Sequence, residues 1–299
     1  MRRMWKLTAL MRLKDRIGLG WRPALAAGIL SNLDKIDIVE VIADDFFNAP
    51  RRERRALRTL AAQTPVTLHG VSLGLASSVA VEPKRLDQMA RLCEEVAPVS
   101  WSEHLAFVRG GGVEIGHLAA PPRTAATIDG ALANLARATA IAGVAPQVEN
   151  VATLIDPPGS DRDEATWVSE IVRGGNCDLL LDLHNLYANA LNFSFDPLDF
   201  IARIPSESIA AIHLAGGKWI GQQGARRLLD DHLHDVPDSV YDLLAEVGAR
   251  TRRPLTVILE RDGDFPSIGC LLDQLDRARQ ALARGRVRLM DESGEEAAA

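Results

Sequence analysis

Cysteine is scarce in this sequence. Only three occur, Cys93, Cys177 and Cys270, widely spaced and odd in number. That speaks against a disulfide framework or a Cys-x-x-Cys metal site, and points to a reducing cytoplasm with inert thiols. Positive charge is short as well: 34 Lys and Arg against 40 Asp and Glu leave a net charge of −6. A nucleic-acid partner would want the opposite sign. Long apolar runs are missing. No window approaches the roughly 20 residues of a spanning helix, and Leu7–Leu10 is too short for a signal-peptide core before Arg12, Lys14 and Asp15 intervene. Motifs for nucleotides and nucleophiles are missing too. Gly18-Leu-Gly20 is a poor dinucleotide fingerprint, Ser72 and Ser77 sit in no Gly-x-Ser-x-Gly elbow, and Ala215-Gly-Gly-Lys218 lacks P-loop spacing.

What is present is a regular alternation. The 299 residues are 47% hydrophobic and 25% charged, enough for a large core. Apolar runs at 17–21, 36–42, 66–69, 99–104, 147–151, 179–183, 210–214 and 255–260 read as strands. Helical patterns follow at 23–32, 51–63, 83–96, 124–143, 164–172, after a cap at Asp196, at 239–250 after a cap at Asp238, and at 267–284. A small hairpin is expected at 107–116 and a long loop at 215–238. Strands joined by helices pair in parallel. Eight such units predict an α/β fold, a single (β/α)8 TIM barrel with a metal site at the C-terminal ends of the strands. Residues 1–15 are expected to be an N-terminal extension, 16–286 the barrel, and 287–299 a disordered acidic tail.

The strand ends carry the chemistry. Asp178-Leu-Leu-Leu-Asp-Leu-His-Asn185 runs three leucines into Asp182. Other runs finish on His69, on Glu103 and His104, on Glu149 and Asn150, on His213, and on Glu260 followed by Asp262. Asn185 stands just after its strand, and the loop after the seventh strand adds Asp230 and His232. A lone strand-end histidine is usually a satisfied core residue. Glu149 or Glu260 alone could pair with Arg22 or Arg261, and Asp230 with Asp231 could be a solvated pair. Their joint occurrence at successive strand ends is what points to metal. Imidazole mixed with carboxylate suits zinc, iron, manganese or nickel, and a set this large could hold two or three ions. Unneutralised carboxylates in one mouth would repel each other. His117 and His234 read as structural or surface residues. The direction of His184 depends on whether its strand continues past Leu183.

Several short segments are together similar to one family. They are Ile17-Gly-Leu-Gly-Trp-Arg22, Leu68-His-Gly-Val-Ser-Leu-Gly74, Ser102-Glu-His-Leu105, Glu149-Asn150, Leu181-Asp-Leu-His-Asn185, Ile212-His-Leu-Ala-Gly216, Asp230-Asp-His232 and Glu260-Arg-Asp262. The chain resembles the multinuclear non-haem iron-dependent oxidases of the methanobactin-biosynthesis type. The resemblance implies a xylose-isomerase-like barrel holding two or three irons in mixed ferrous and ferric states, with dioxygen as co-substrate. It implies metal ligands at His69, His104, Glu149, Asp182, His213, Asp230, His232 and Glu260. Asn150, Asn185 and Asp262 would be catalytic groups beside them. The implied substrate is a cysteine-containing, ribosomally made peptide, sometimes delivered by a small partner protein. The chain departs from the family at His184, usually Asn, at Asn192-Phe-Ser194, usually Asn-His-Gly, and at Gly217, often His. None of these removes an implied ligand. The competing reading is a zinc or manganese isomerase or phosphodiesterase-like hydrolase on the same barrel, and a third is a binding protein with structural metals.

Overall fold

The computed structural model describes residues 14–222 and 225–298. Residues 1–13 of the expected N-terminal extension, and the last residue of the expected tail, lie outside the described residues. Eight parallel strands close a barrel: β1 (Arg16–Gly20), β2 (Val39–Ile42), β3 (Val66–Gly70), β4 (Trp101–His104), β7 (Gln147–Glu149), β8 (Leu179–Asp182), β9 (Ile209–Leu214) and β12 (Thr256–Leu259). They follow one another around the ring in chain order, and β12 closes it by pairing with β1 from Arg16↔Thr256 to Leu19↔Leu259. Two antiparallel hairpins stand outside the ring, β5–β6 (Phe107–Gly110, Val113–Ala119) and β10–β11 (Gly217–Ile220, Arg227–Asp230).

Alternation along each strand sorts the side chains. Val39, Val41, Leu68, Trp101, Val148, Leu179, Leu181, Ile212, Val257 and Leu259 point outward and form one apolar cluster with the helices. Burying each large aliphatic side chain stabilises the fold by about 1.5–3 kcal/mol. The intervening positions point into the barrel, and there the polar residues sit: Glu40, Thr67, His69, Ser102, His104, Glu149, Asp182 and His213 are all buried. The apolar layer outside therefore holds the polar layer inside in register.

The helices are α1 (Ala26–Leu30), α2 (Asp44–Phe47), α3 (Arg51–Ala61), α4 (Pro83–Val96), α5 (Ala125–Ala142), α6 (Glu164–Gly175), α7 (Leu183–Phe193), α8 (Pro197–Arg203), α9 (Asp238–Arg250) and α10 (Ile268–Ala298). Gly143 ends α5 in the left-handed region at φ 76°, and Asp196 caps α8 by accepting the Leu198 N–H at 2.8 Å, both as expected. Three expectations are corrected. The strand at 179–183 stops at Asp182, whose carboxylate accepts the Asn185 N–H at 2.6 Å and starts α7 where no helix was expected. Asp238 is the first residue of α9 and Pro237 precedes it, without a side-chain cap. The last helix runs on to Ala298, past the end expected at 284. No helix among the described residues is long and apolar enough to cross a membrane.

Candidate metal centre

Register brings the polar strand ends together. His104 is paired with Glu149 and Asp182 with His213, and His69 stands level with Ser102. Glu149 occupies the middle. Its Oε2 lies 3.4 Å from His69 Nε2 and 3.3 Å from His104 Nε2, and its Oε1 lies 3.1 Å from His213 Nδ1. Glu260 Oε2 lies 3.0 Å from the same His213 nitrogen. Three sets of ligand-bearing atoms result among the described residues: Glu40–His69–His213, and two others, His69–His104–Glu149 and Glu149–Asp182–His213–Glu260. The last two share Glu149, and a carboxylate with two oxygens can serve an ion on each side.

Asp230 and His232 arrive from the end of the β10–β11 hairpin. His232 Nε2 lies 2.9 Å from Asp230 Oδ2, and its Nδ1 lies 3.1 Å from Asp262 Oδ2. His232 adopts φ 54°, a left-handed conformation that a histidine holds only when its surroundings impose it. Here its N–H donates to the Gly216 carbonyl, and its own carbonyl accepts from the Asp262 N–H, both at 3.0 Å. His184 stands at the start of α7 with Nδ1 2.6 Å from Asp230 Oδ1.

The electrostatics call for cations. Burial raises Asp182, and the Asp230 and Glu149 charges raise it further, well above the ordinary carboxyl range. Burial also works against ionisation of Glu260, but His213 and His232 outweigh it and hold that carboxyl well below its usual range. Burial lowers His104, yet Glu149 and Glu103 overcome it and bring the ring up to about 9. In a buried setting, Glu149 Oε2, Asp182 Oδ2, His213 Nε2, His232 Nε2 and Asn185 Oδ1 have no hydrogen-bond partner among the described residues. Each such group costs about 1–3 kcal/mol. Bound cations would satisfy several at once, so the residues fit a multinuclear centre of nitrogen and oxygen donors.

The remaining candidates have definite places. Asn150 is a clamp: its Oδ1 accepts the Asp182 N–H at 2.9 Å and its Nδ2 donates to the Asp182 carbonyl at 3.0 Å. Its amide is thus spent on positioning Asp182. Asn185 donates to the Asn150 carbonyl at 3.0 Å and leaves its Oδ1 free. Asp262 is held by Arg22, whose Nε donates to it at 2.8 Å. The same arginine reaches Glu260 at 3.9 Å, the pairing considered from sequence. Arg261 instead pairs with Asp235. His234 pairs with Asp231 at the surface. Two residues escaped the reading of strand ends. Ser102 faces His69 Nδ1 at 2.8 Å. Glu40 lies mid-strand, 2% exposed, with Oε1 2.9 Å from His213 Nε2. The available signal was a carboxylate flanked by Val39 and Val41 inside the run from Ile36 to Ile42.

A cleft of about 520 Å³ opens onto the centre. His104, Glu149, Asn185, Asp230 and His232 form its floor. Val151, Leu154, Ile155, Pro157 and Pro158 of the loop after β7 form one wall, and the two hairpins contribute Leu118 and Leu228. The exposed His117 also lines it.

Fold and site together define a (β/α)8-barrel protein with several buried clusters of histidine and carboxylate side chains that could hold metal ions. Residues 16–283 match the family described as "RiPP precursor modification enzyme MbnB/TglH/ChrH". The chain belongs to that family. It is 36% identical over 278 residues to a "UPF0276 protein" of Streptomyces avermitilis, covering 91% of this chain but only 56% of that protein. It is 33% identical over 273 residues to a "UPF0276 protein" of Caulobacter vibrioides, covering 91% and 96% of the two chains. Among solved structures, a "xylose isomerase-like TIM barrel/4-hydroxyphenylpyruvate dioxygenase fusion protein" matches with a TM-score of 0.61 at 15% identity, over 94% of this chain and 44% of that one. That likeness concerns the fold.

Proposed function

We propose that this protein is a multinuclear iron-dependent oxidase that uses dioxygen to modify cysteine residues of a ribosomally synthesised peptide. The observation that carries the reading is Glu149, shared between two buried ligand sets, with Asp230 and His232 beside them. A bridging carboxylate among imidazoles, with no thiolate in the set, suits paired iron ions. Membership in a family of peptide-precursor modification enzymes supports a peptide substrate, and so does a cleft with apolar walls that opens onto the centre.

Iron, when bound, would supply dioxygen activation and lower the pKa of a coordinated thiol. The chain's own residues do the rest. His69, His104, Glu149, Asp182, His213, Asp230, His232 and Glu260 hold the ions. The loop carrying Leu154 and Ile155 gives the cleft an apolar wall. Asn185 Oδ1, buried and unpartnered among the described residues beside the cleft, would orient a substrate amide. The setting we propose is the cytoplasm, where substrate cysteines remain thiols, and a small partner protein could present the peptide.

The test is metal analysis with Mössbauer spectroscopy on protein purified without oxygen. Two or three irons per chain, ferrous and ferric together, are expected. Stoichiometric zinc or manganese with little iron would replace this reading by the isomerase or hydrolase one.

A further inference from the structure

Four histidines surround the centre, and each has one ring nitrogen turned inward and one turned away. For three of them the inward atom is Nε2. His69 and His104 direct Nε2 at Glu149, and His232 directs Nε2 at Asp230. The outward Nδ1 then meets an oxygen: Ser102 Oγ at 2.8 Å for His69, the Gly70 carbonyl at 3.2 Å for His104, and Asp262 Oδ2 at 3.1 Å for His232. His213 is reversed. Its Nδ1 faces Glu149 and Glu260, so its outward atom is Nε2. That atom faces Glu40 Oε1 at 2.9 Å. The two atoms are close but not aligned as a hydrogen bond, so neither has a hydrogen-bond partner among the described residues, and His213 is 0% exposed.

A neutral imidazole that binds an ion through Nδ1 must carry its proton on Nε2. In a site closed to water that proton needs an acceptor, and such outward partners set both tautomer and ring orientation. We propose that Glu40 is the positioning carboxylate of His213, accepting the Nε2–H and committing Nδ1 to the ion held with Glu149, Asp182 and Glu260. The proposal rests on the metal-centre reading above. Glu40 reaches this place through register: on β2 it stands level with Gly20 of β1 and Thr67 of β3, one inward position below the level of His69. Gly20 brings no side chain to that layer, and a Cβ there would meet the Arg22 guanidinium. A cation held directly by Glu40, His69 and His213 is a competing use of the same atoms. Were it to use the His213 Nε2 that faces Glu40, it would place ions on both nitrogens of that ring.

The test is cobalt(II) binding in competition with a chromogenic chelator, on wild type, Glu40→Leu and Glu40→Gln, each also combined with His213→Ala. The readouts are affinity, ions per chain at saturation, and the visible cobalt spectrum. Glu40→Leu removes the acceptor and is expected to weaken one ion about 10- to 100-fold while the count at saturation is unchanged. Glu40→Gln keeps an uncharged acceptor and is expected to fall between Leu and wild type; it also carries the test if Glu40→Leu does not fold. Neither change should weaken binding further once His213 is Ala. Unchanged affinity, one ion fewer at saturation, or an equal loss in the His213→Ala background would each overturn the assignment. A wild-type chain that takes up no cobalt would instead remove the metal centre itself.

Discussion

Asp182 performs two tasks that the isosteric change Asp182→Asn separates. Its Oδ1 caps α7 through the Asn185 N–H at 2.6 Å, while its Oδ2 is buried without a partner among the described residues and belongs to the Glu149–His213–Glu260 set. Asparagine is as good a cap as aspartate, so the helix start survives. The charged ligand does not. At a metal concentration 100 times Kd, binding stabilises the folded chain by about 2.7 kcal/mol. At about 2–4 °C per kcal/mol for a domain approaching this size, that is roughly 5–10 °C in Tm. Asp182→Asn should lose most of this rise. The metal-free variant should behave in the opposite sense. Burial and the neighbouring Asp230 and Glu149 charges hold Asp182 well above the ordinary carboxyl range. The fold therefore favours its protonated form, and ionisation costs wild-type stability above that raised value. The cost fades as pH falls towards the unfolded carboxyl value of about 4. Metal-free Asp182→Asn should thus melt at or above wild type at neutral pH, with the difference vanishing on acidification. Differential scanning calorimetry with and without cobalt(II), plus a metal count, reads both effects. A variant that keeps the whole metal-dependent rise and the whole metal complement would refute the ligand role.

Ser102→Ala removes the oxygen facing His69 Nδ1; metal affinity should drop by about tenfold with an unchanged circular dichroism spectrum, as chelator competition would show. Gly217→Ala places a Cβ against the Leu229 carbonyl and 2.6 Å from His184 Cε1. The β10–β11 hairpin must shift, lowering stability by about 1–3 kcal/mol in denaturant unfolding and weakening the ion held by Asp230. His104 at about 9, and His213 and His232 well above their ordinary value, carry protons at neutral pH before metal binds. Burial works against those protons, and the facing carboxylates retain them. Metal uptake should therefore release protons, and affinity should rise with pH up to about 9. Calorimetry in buffers of different ionisation enthalpy checks this, and affinity independent of pH between about 6 and 8 would contradict it.

Most of the barrel was legible because its signal is local. A strand buried on both faces needs an apolar run, and a crossover helix needs an amphipathic one, so the eight units stand out along the chain. Boundaries failed where a polar residue had two uses. Asp182 read as a strand end, and its second role as the cap of α7 depends on the Asn185 N–H turning back to it. The loop at 215–238 contains the β10–β11 hairpin, where Gly217 packs its backbone against His184. The spacing along the sequence does not show that contact.

The sequence by itself determined the alternation of strands and helices and the residue types at the strand ends, because those follow from patterning over a few positions. Only the tertiary structure decided that Glu149 is common to two ligand sets, that His213 faces inward through Nδ1 rather than Nε2, and that a carboxylate in the middle of β2 stands behind it. These facts depend on how far each strand is shifted against its neighbour when the barrel closes. Local patterning does not specify that shift; the summed packing of the outward-facing apolar layer does.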